Sequence, residues 1–260
     1  MSRPLDPQCL AEAEARLSAV RGRIERACAR SGRKASEITL VGACKRQPID
    51  RIAAAVCAGL KQLGENYVQA AQATAPQLSQ RLAEHCVDAQ IPIPLWRMIG
   101  HLQRNKASQA VELFGAVDTV DTPRLARSLA GRAQAAGVVI DACLQVNLSG
   151  EASKSGCSEA SLGDLLAECD ELPALRVVGL MTMPAPGPDP ETARETFARL
   201  RALRDTLRRE PGGTDLQHLN MGMSGDLEVA IEEGSTLIRV GTDLFGDRDA
   251  PAQAGRKTEP

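Results

Sequence analysis

The sequence contains few aromatic residues. There are five among 260 residues: one Trp, one Tyr and three Phe. Proteins that bind single-stranded nucleic acid use aromatic side chains to stack bases and a positively charged groove to follow the phosphates. The formal net charge is −2, and no dense run of Lys and Arg occurs in the chain. These two absences exclude a dedicated nucleic-acid-binding protein.

Long apolar runs and paired cysteine motifs are also missing. No segment approaches about 18 consecutive apolar residues, and the first residues lack the apolar region of a secretory signal. The eight cysteines include no CxxC pair and no spacing typical of metal ligands. We therefore expect a soluble cytoplasmic protein with reduced thiols, without a membrane partner and without a bound metal.

Short apolar segments alternate with amphipathic segments along most of the chain. Eight apolar segments have the length and composition of buried strands: 38–44, 61–64, 95–99, 116–120, 138–148, 175–182, 215–221 and 236–241. Helical patterns fill the intervals, at 48–58, 66–84, 102–113, 122–136, 158–170, 190–209 and 225–233. Eight strands that alternate with helices predict an α/β protein whose parallel sheet closes into a single TIM-type (β/α)8 barrel.

One further helix is predicted ahead of the barrel. Residues 8–29 place apolar side chains at helical spacing, with Arg and Glu between them. No internal repeat or linker divides the chain, so we predict one domain over residues 1–260. We expect its core to span about residues 8–248, and residues 249–260 to form a flexible tail.

Two short turns late in the chain combine glycine with a hydroxyl side chain. Gly222-Met223-Ser224 follows the seventh predicted strand, and Gly241-Thr242 follows the eighth. Such turns aim backbone N–H groups and a hydroxyl at a phosphate, and phosphates often bind on these two loops of a barrel. Lys45 ends the first strand, which is the next neighbour around a closed barrel. This combination indicates a phosphorylated carbonyl compound held by Lys45 as a Schiff base.

Seven segments in register resemble one known family. They are Ile38–Lys45, Gly64–Gln69, Ile99–Lys106, Gln145–Ser149, Ser153–Gly156, Gly179–Met181 and Met221–Phe245, within roughly residues 8–248. In this order and spacing they look like the pyridoxal phosphate homeostasis proteins. The resemblance implies a barrel of PLP fold type III, related to the N-terminal domain of alanine racemase. It also implies a carrier or regulator of pyridoxal 5'-phosphate (PLP), with no established turnover of its own.

The resemblance assigns roles to three side chains around the cofactor ring. Lys45 corresponds to the lysine that forms the Schiff base with PLP. Asn66 lies in the family's segment beside the cofactor. Arg239 corresponds to the arginine that faces the pyridine nitrogen, where a positive charge disfavours protonation and weakens PLP as an electron sink. The resemblance implies no catalytic residue and no metal ligand.

The resemblance places the phosphate on the two glycine-hydroxyl turns. Ser224 and Thr242, with the backbone amides around Gly222, Met223 and Gly241, correspond to the phosphate site. The chain departs from the family's usual residues at four positions, which are Cys44, Gln47, Arg97 and Asn220. The Asn220 replacement lies next to the phosphate site and changes its surroundings.

Two other functions are compatible with the same residues. A PLP-dependent amino-acid racemase would use the same lysine, and a Schiff-base aldolase would use a strand-end lysine with a phosphate site. An aldolase also needs an acid–base group near the lysine, for which Glu65 is the obvious residue. Ser224 could instead be a helix N-cap, and His101 and Asn147 could either face the site or serve the fold alone. For the carrier we expect a monomer, with PLP as ligand and PLP-dependent apo-enzymes as candidate partners.

Overall fold

The computed structural model describes residues 4–85, 91–149, 155–185, 187 and 189–247. Eight parallel strands pair in sequence order, and the last pairs with the first to close a barrel. The strands are β1 (Thr39–Ala43), β2 (Gln62–Glu65), β3 (Leu95–Met98), β4 (Ala116–Val120), β5 (Ile140–Gln145), β6 (Leu175–Met181), β7 (His218–Asn220) and β8 (Leu237–Val240). The predicted (β/α)8 barrel is confirmed.

Helices surround the barrel, and one additional helix precedes it. They are α1 (Pro7–Arg30), α2 (Ile49–Cys57), α3 (Val68–His85), α4 (Ala107–Leu113), α5 (Pro123–Ala135), α6 (Glu159–Asp170), α7 (Arg194–Leu207), α8 (Leu227–Glu232) and α9 (Thr242–Phe245). In the part of the chain that the structure describes, no helix has both the length and the apolar character needed to span a bilayer. The predicted tail, residues 249–260, lies outside the described residues.

The N-terminal helix α1 is fixed at both ends and along one face. The Asp6 carboxylate accepts a hydrogen bond from the Gln8 N–H at 2.9 Å and caps its start. At its end the Ser31 hydroxyl donates to the Ala27 carbonyl oxygen at 2.9 Å. Its buried stripe, which comprises Ala13, Leu17, Val20, Ile24, Ala27 and Cys28, packs against α2, α8 and α9. The helix therefore lies beside the elements that follow β7 and β8.

Several boundaries differ from the sequence-based prediction. The helix predicted over 190–209 begins at Arg194, because Pro190–Ala193 forms a 3₁₀ turn. Likewise, a 3₁₀ turn at Arg104–Lys106 delays the helix predicted from residue 102. The strand predicted over 138–148 spans only Ile140–Gln145, and the one predicted over 215–221 only His218–Asn220. An apolar run indicates burial and strand propensity, but backbone pairing with the neighbouring strands decides where the strand ends.

Candidate functional site

A cavity of about 320 Å³ opens at the C-terminal end of the barrel strands. Its lining residues come from the last residues of strands and the loops that follow them. They are Ala43, Lys45, Gln47, Asn66, Ile99, Met183, Met223, Ser224, Gly225, Arg239, Gly241 and Thr242. Seven of the eight residues predicted to bind the cofactor are among them, and Gly222 is the exception. Ile99 and Met183 also line the cavity, although neither was predicted to have a role in the site.

Lys45 lies in a tight turn directly after β1. The Cys44 N–H donates to the Gly64 carbonyl oxygen at 2.9 Å, and the Gln47 N–H donates back to the Cys44 carbonyl oxygen at 2.9 Å. Arg46 has a φ of 56°, a left-handed conformation that is uncommon for residues other than glycine. Lys45 Nζ lies 6.0 Å from the centroid of the Tyr67 ring. The turn therefore directs a primary amine into the cavity beside an aromatic side chain.

Arg239 lies in β8 and is almost completely buried, with 4% of its surface exposed. Its Nη1 donates to the Asn220 carbonyl oxygen at 3.1 Å and also to Asn220 Oδ1. Its Nη2 donates to the Thr182 carbonyl oxygen at 3.3 Å. These acceptors are uncharged oxygens, and burial lowers the pKa of Arg239. The carboxylates of Asp118 and Asp226 act in the opposite direction, so the buried arginine places a partly compensated positive charge beside the cavity.

The side chain of Asn220 helps to hold Arg239 in place. It is fully buried at the end of β7, where its Oδ1 is used by Arg239. Its Nδ2 has no hydrogen-bond partner among the described residues. A buried amide N–H2 without an acceptor is unfavourable. The departure at Asn220 thus supplies an acceptor that positions Arg239 and leaves an unused donor beside it.

The two glycine-hydroxyl turns face the same cavity. Ser224 and Gly225 line it from the loop after β7, and Gly241 and Thr242 line it from the loop after β8. The N-cap alternative for Ser224 is not supported, because α8 begins at Leu227 and Asp226 occupies the N-cap position. Ser224 and Thr242 thus border one cavity from the loops that follow two neighbouring strands.

Gly222 acts through the backbone rather than as a lining residue. Its φ is 95°, a conformation that favours glycine. A Cβ at this position would lie 2.5 Å from the Ala230 Cβ and 3.0 Å from the Ile238 Cδ1. Its carbonyl oxygen accepts the Arg239 N–H at 3.1 Å. Glycine is therefore required for the chain to turn sharply out of β7 while staying bonded to β8.

A carboxylate that the sequence-based prediction overlooked, Asp226, also belongs to the first turn. Its Oδ1 accepts the Met223 N–H at 2.6 Å, so one of the amides predicted to bind phosphate is bonded internally in this structure. Burial raises the pKa of Asp226, although the bond from Met223 acts in the opposite direction. The only sequence signal was an acidic residue two positions after Ser224.

Glu65 lies close enough to Lys45 for their charges to interact, but it is not part of the cavity wall. Its side chain is 2% exposed and does not line the cavity. It accepts the Asn66 N–H at 2.7 Å, and burial raises the pKa of Glu65. The carboxylate therefore fixes the loop that carries Asn66. Because Glu65 bonds the Asn66 N–H and does not line the cavity, the aldolase alternative loses its main support.

His101 and Asn147 lie outside the cavity. His101 lines a neighbouring groove of about 300 Å³, which Asn66 and Tyr67 also line. The Asn147 Oδ1 accepts the N–H of Ser149 at 3.1 Å and its hydroxyl at 2.9 Å. Within the described ranges, no group of His, Cys, Asp and Glu has the geometry of a metal site.

The chain matches the family model described as "Alanine racemase, N-terminal domain" over residues 16–249. It is 40% identical over 233 residues to the pyridoxal phosphate homeostasis protein of Aquifex aeolicus, covering 90% of this chain and 97% of that protein. It is 39% identical over 238 residues to the homologue of Pseudomonas aeruginosa that carries the same name, covering 92% of this chain and 96% of that protein. The chain belongs to the pyridoxal phosphate homeostasis protein family.

Solved structures agree with this family assignment. PipY of Synechococcus elongatus PCC7942, solved with PLP bound, superposes with a TM-score of 0.77 at 32% identity, over 90% of this chain and all of that one. A structure described as "an unknown protein from Bifidobacterium adolescentis" gives a TM-score of 0.84 at 35% identity, over 94% of this chain and 98% of that one. Alanine racemase of Clostridium difficile gives a TM-score of 0.68 at 13% identity, over 95% of this chain and 59% of that one. At that low identity the racemase match supports the common barrel fold alone.

Proposed function

We propose that this chain binds PLP in the cavity at the end of the barrel and serves PLP homeostasis as a carrier or regulator. The observation that carries the proposal is the convergence of Lys45, Arg239 and the two glycine-hydroxyl turns on one cavity. The names of the relatives and the PLP-bound structure of PipY support the choice of ligand.

The donor set fits PLP. A cavity of about 320 Å³ is within the usual size of small-ligand sites. PLP supplies an aldehyde, whose carbon condenses with a primary amine to form a C=N bond and release water. Lys45 Nζ is the amine that would form this bond. The Ser224 and Thr242 hydroxyls would donate to the phosphate, and the Arg239 guanidinium would lie at the ring nitrogen.

The positive charge of Arg239 favours storage of PLP over a reaction catalysed by PLP. Arg239 donates only to uncharged oxygens and keeps its positive charge next to the cavity. A positive charge at the ring nitrogen disfavours a proton there, so the ring withdraws electrons less strongly. The proposal accordingly assigns storage or delivery of PLP to this chain rather than turnover. It places the protein in the cytoplasm as a monomer, with PLP-dependent apo-enzymes as recipients.

A labelling experiment tests the attachment. The protein is mixed with PLP, its visible absorption spectrum is recorded, and borohydride is added before peptide mass mapping. We expect a yellow complex and a phosphopyridoxyl mass on the peptide that contains Lys45. Lys45→Ala should abolish both signals. Lys61→Ala, at a lysine that precedes β2 at the opposite end of the barrel, is the matched control and should leave them unchanged. A label on another lysine in the wild-type protein would contradict the proposal.

A further inference from the structure

Arg23 of α1 joins the two loops that carry the predicted phosphate ligands. Its Nε and Nη2 donate to the two carboxylate oxygens of Glu228, each at 2.7 Å. Its Nη2 also donates to the Ser224 carbonyl oxygen at 2.9 Å. Its Nη1 donates to Asp243 Oδ2 at 2.6 Å. A single guanidinium therefore bonds the loop after β7, the helix α8 and the helix α9.

The contacts of Arg23 reach the two loops that carry Ser224 and Thr242. Ser224 carries one of the two hydroxyls that line the cavity, and Asp243 directly follows Thr242, which carries the other. Arg23 itself does not line the cavity. It projects from the middle of α1, between Val20 and Ile24 on the buried stripe of that helix. The two hydroxyl-bearing loops are thus tied to one rigid, packed element.

Arg23 also compensates the charges of two acidic side chains, Glu228 and Asp243. Glu228 and Asp243 are two carboxylates beside a site that would receive a phosphate dianion. The planar Arg23 guanidinium pairs with both at short distances, with 27% of its side chain exposed. Without this cation, the two negative charges would repel a bound phosphate, and the loops would lose their common anchor.

We propose that Arg23 is a positioning residue for the phosphate end of the ligand, which holds Ser224 and Thr242 at the correct separation and neutralises the acidic residues behind them. This inference rests on the proposed PLP site. It predicts an effect on phosphate recognition in particular, because the hydrogen bonds of Arg23 go to Ser224, Glu228 and Asp243 and not to the turn that carries Lys45.

The test compares PLP with pyridoxal, which lacks the phosphate, in absorption titrations of three proteins. In Arg23→Met we expect PLP to bind about tenfold more weakly, while pyridoxal binding changes by less than about twofold. Arg30→Met is the matched control. Arg30 lies two turns further along α1 and pairs with Glu232 of α8 at 2.8 Å, away from the cavity. It should leave both affinities as in the wild type.

Each outcome has a distinct meaning. If wild-type protein does not prefer PLP to pyridoxal, the proposed phosphate site itself is wrong. If wild type prefers PLP and Arg23→Met keeps the full preference, or weakens both ligands equally, the role of Arg23 is overturned. Should Arg23→Met fail to fold, Arg23→Lys serves instead. It keeps the charge but cannot bond all three partners, and it should lose part of the preference for PLP.

Discussion

Arg97 of β3 and Asp118 of β4 form a two-point ion pair between neighbouring strands of the barrel. Arg97 Nε donates to Asp118 Oδ2 at 2.8 Å, and Arg97 Nη2 donates to Asp118 Oδ1 at 2.5 Å. Asp118 is fully buried, and Arg97 is 5% exposed. Arg97 Nη1 also donates to Gln62 Oε1 of β2 at 3.3 Å. The departure from the family at Arg97 is therefore accommodated by a buried carboxylate on the next strand.

Removal of one partner of this pair should destabilise the fold strongly. Asp118→Asn leaves the Arg97 guanidinium buried without its counter-charge, and we expect a loss of about 3–5 kcal/mol in the free energy of unfolding. Urea unfolding followed by circular dichroism measures the loss relative to wild type.

The matched control is an exposed pair between the neighbouring strands β5 and β6. Arg176 Nη2 lies 2.7 Å from Asp141 Oδ1, and the Arg176 side chain is 57% exposed. Arg176→Ala should cost about 0–1 kcal/mol. The double variant Arg97→Met/Asp118→Leu should recover much of the loss, because apolar side chains replace both charges. An Asp118→Asn cost as small as that of Arg176→Ala would show that the pair does not stabilise the barrel.

Much of the fold and of the site could be predicted from local sequence. Alternating apolar and amphipathic segments gave eight strands in the right order, because a parallel barrel buries each strand on both faces. The glycine-hydroxyl turns and Lys45 could be located because barrel sites collect at the ends of the strands. Their convergence on one cavity needed no long-range information beyond closure of the barrel.

Contacts between distant residues could not be predicted. Arg23 meets Ser224 across about 200 positions of sequence, and the sequence alone does not distinguish it from the other arginines of α1. The bond from Met223 to Asp226 depends on the backbone path of the turn that Gly222 permits. The pairing of Arg97 with Asp118 depends on the register between β3 and β4, which apolar patterning does not specify.

The second prediction concerns the Ser224 and Thr242 hydroxyls, which are proposed to bind the phosphate. Ser224→Ala/Thr242→Val removes both hydroxyl donors, and a hydrogen bond to a charged acceptor is worth about 1.5–3 kcal/mol. PLP should therefore dissociate at least about tenfold more readily from the double variant. Wild type should also bind pyridoxal more weakly than PLP. Ser158→Ala, at the exposed N-cap of α6, is a control that should not change PLP binding. Equal affinity of wild type for the two ligands would contradict the phosphate site.

Gly222 and Gly225 allow a matched test of backbone conformation in one loop. Gly222 has a φ of 95° and no room for a Cβ, whereas Gly225 has no heavy atom within 4 Å of the position a Cβ would take. Gly222→Ala should lower the free energy of unfolding by about 1–3 kcal/mol, through strain and overpacking. Gly225→Ala should change it by less than about 0.5 kcal/mol. Similar unfolding curves for the two variants would show that the turn relaxes easily.

His218 should contribute to the pH dependence of stability. Its Nδ1 lies 3.1 Å from the Thr236 hydroxyl, and burial, aided by Arg97, lowers the pKa of His218. Because the folded state disfavours the charged imidazole, the unfolded chain takes up the proton first as the pH falls below about 6.5. The free energy of unfolding should therefore fall from there toward the lower pKa of the folded state. In His218→Asn, urea unfolding between about pH 7 and 5.5 should show a smaller decline than in wild type. If the free energy of unfolding falls equally in His218→Asn and wild type, groups other than His218 cause the decline.

The last prediction is that the chain does not racemise amino acids at an enzyme-like rate. Racemisation needs an acid–base group on each face of the substrate Cα. Among the described residues that line the cavity, the titratable side chains are Lys45 and Arg239, and a guanidinium does not give up its proton in proteins. Glu65 is buried and bonded to the Asn66 N–H. Tyr67 is 56% exposed and its ring centroid lies 6.0 Å from Lys45 Nζ, but it lines the neighbouring groove and not the cavity.

Arg239 limits the reaction further, since a ring nitrogen without a proton stabilises a carbanion poorly. Protein saturated with PLP should give at most trace conversion of L-alanine or L-serine to the D enantiomer, measured by chiral chromatography beside an alanine racemase as positive control. Tyr67→Phe should leave any trace conversion unchanged. Turnover of about 1 per second or faster, within the usual enzyme range, would overturn the carrier proposal in favour of a racemase. Loss of that turnover in Tyr67→Phe would then identify Tyr67 as the second acid–base group.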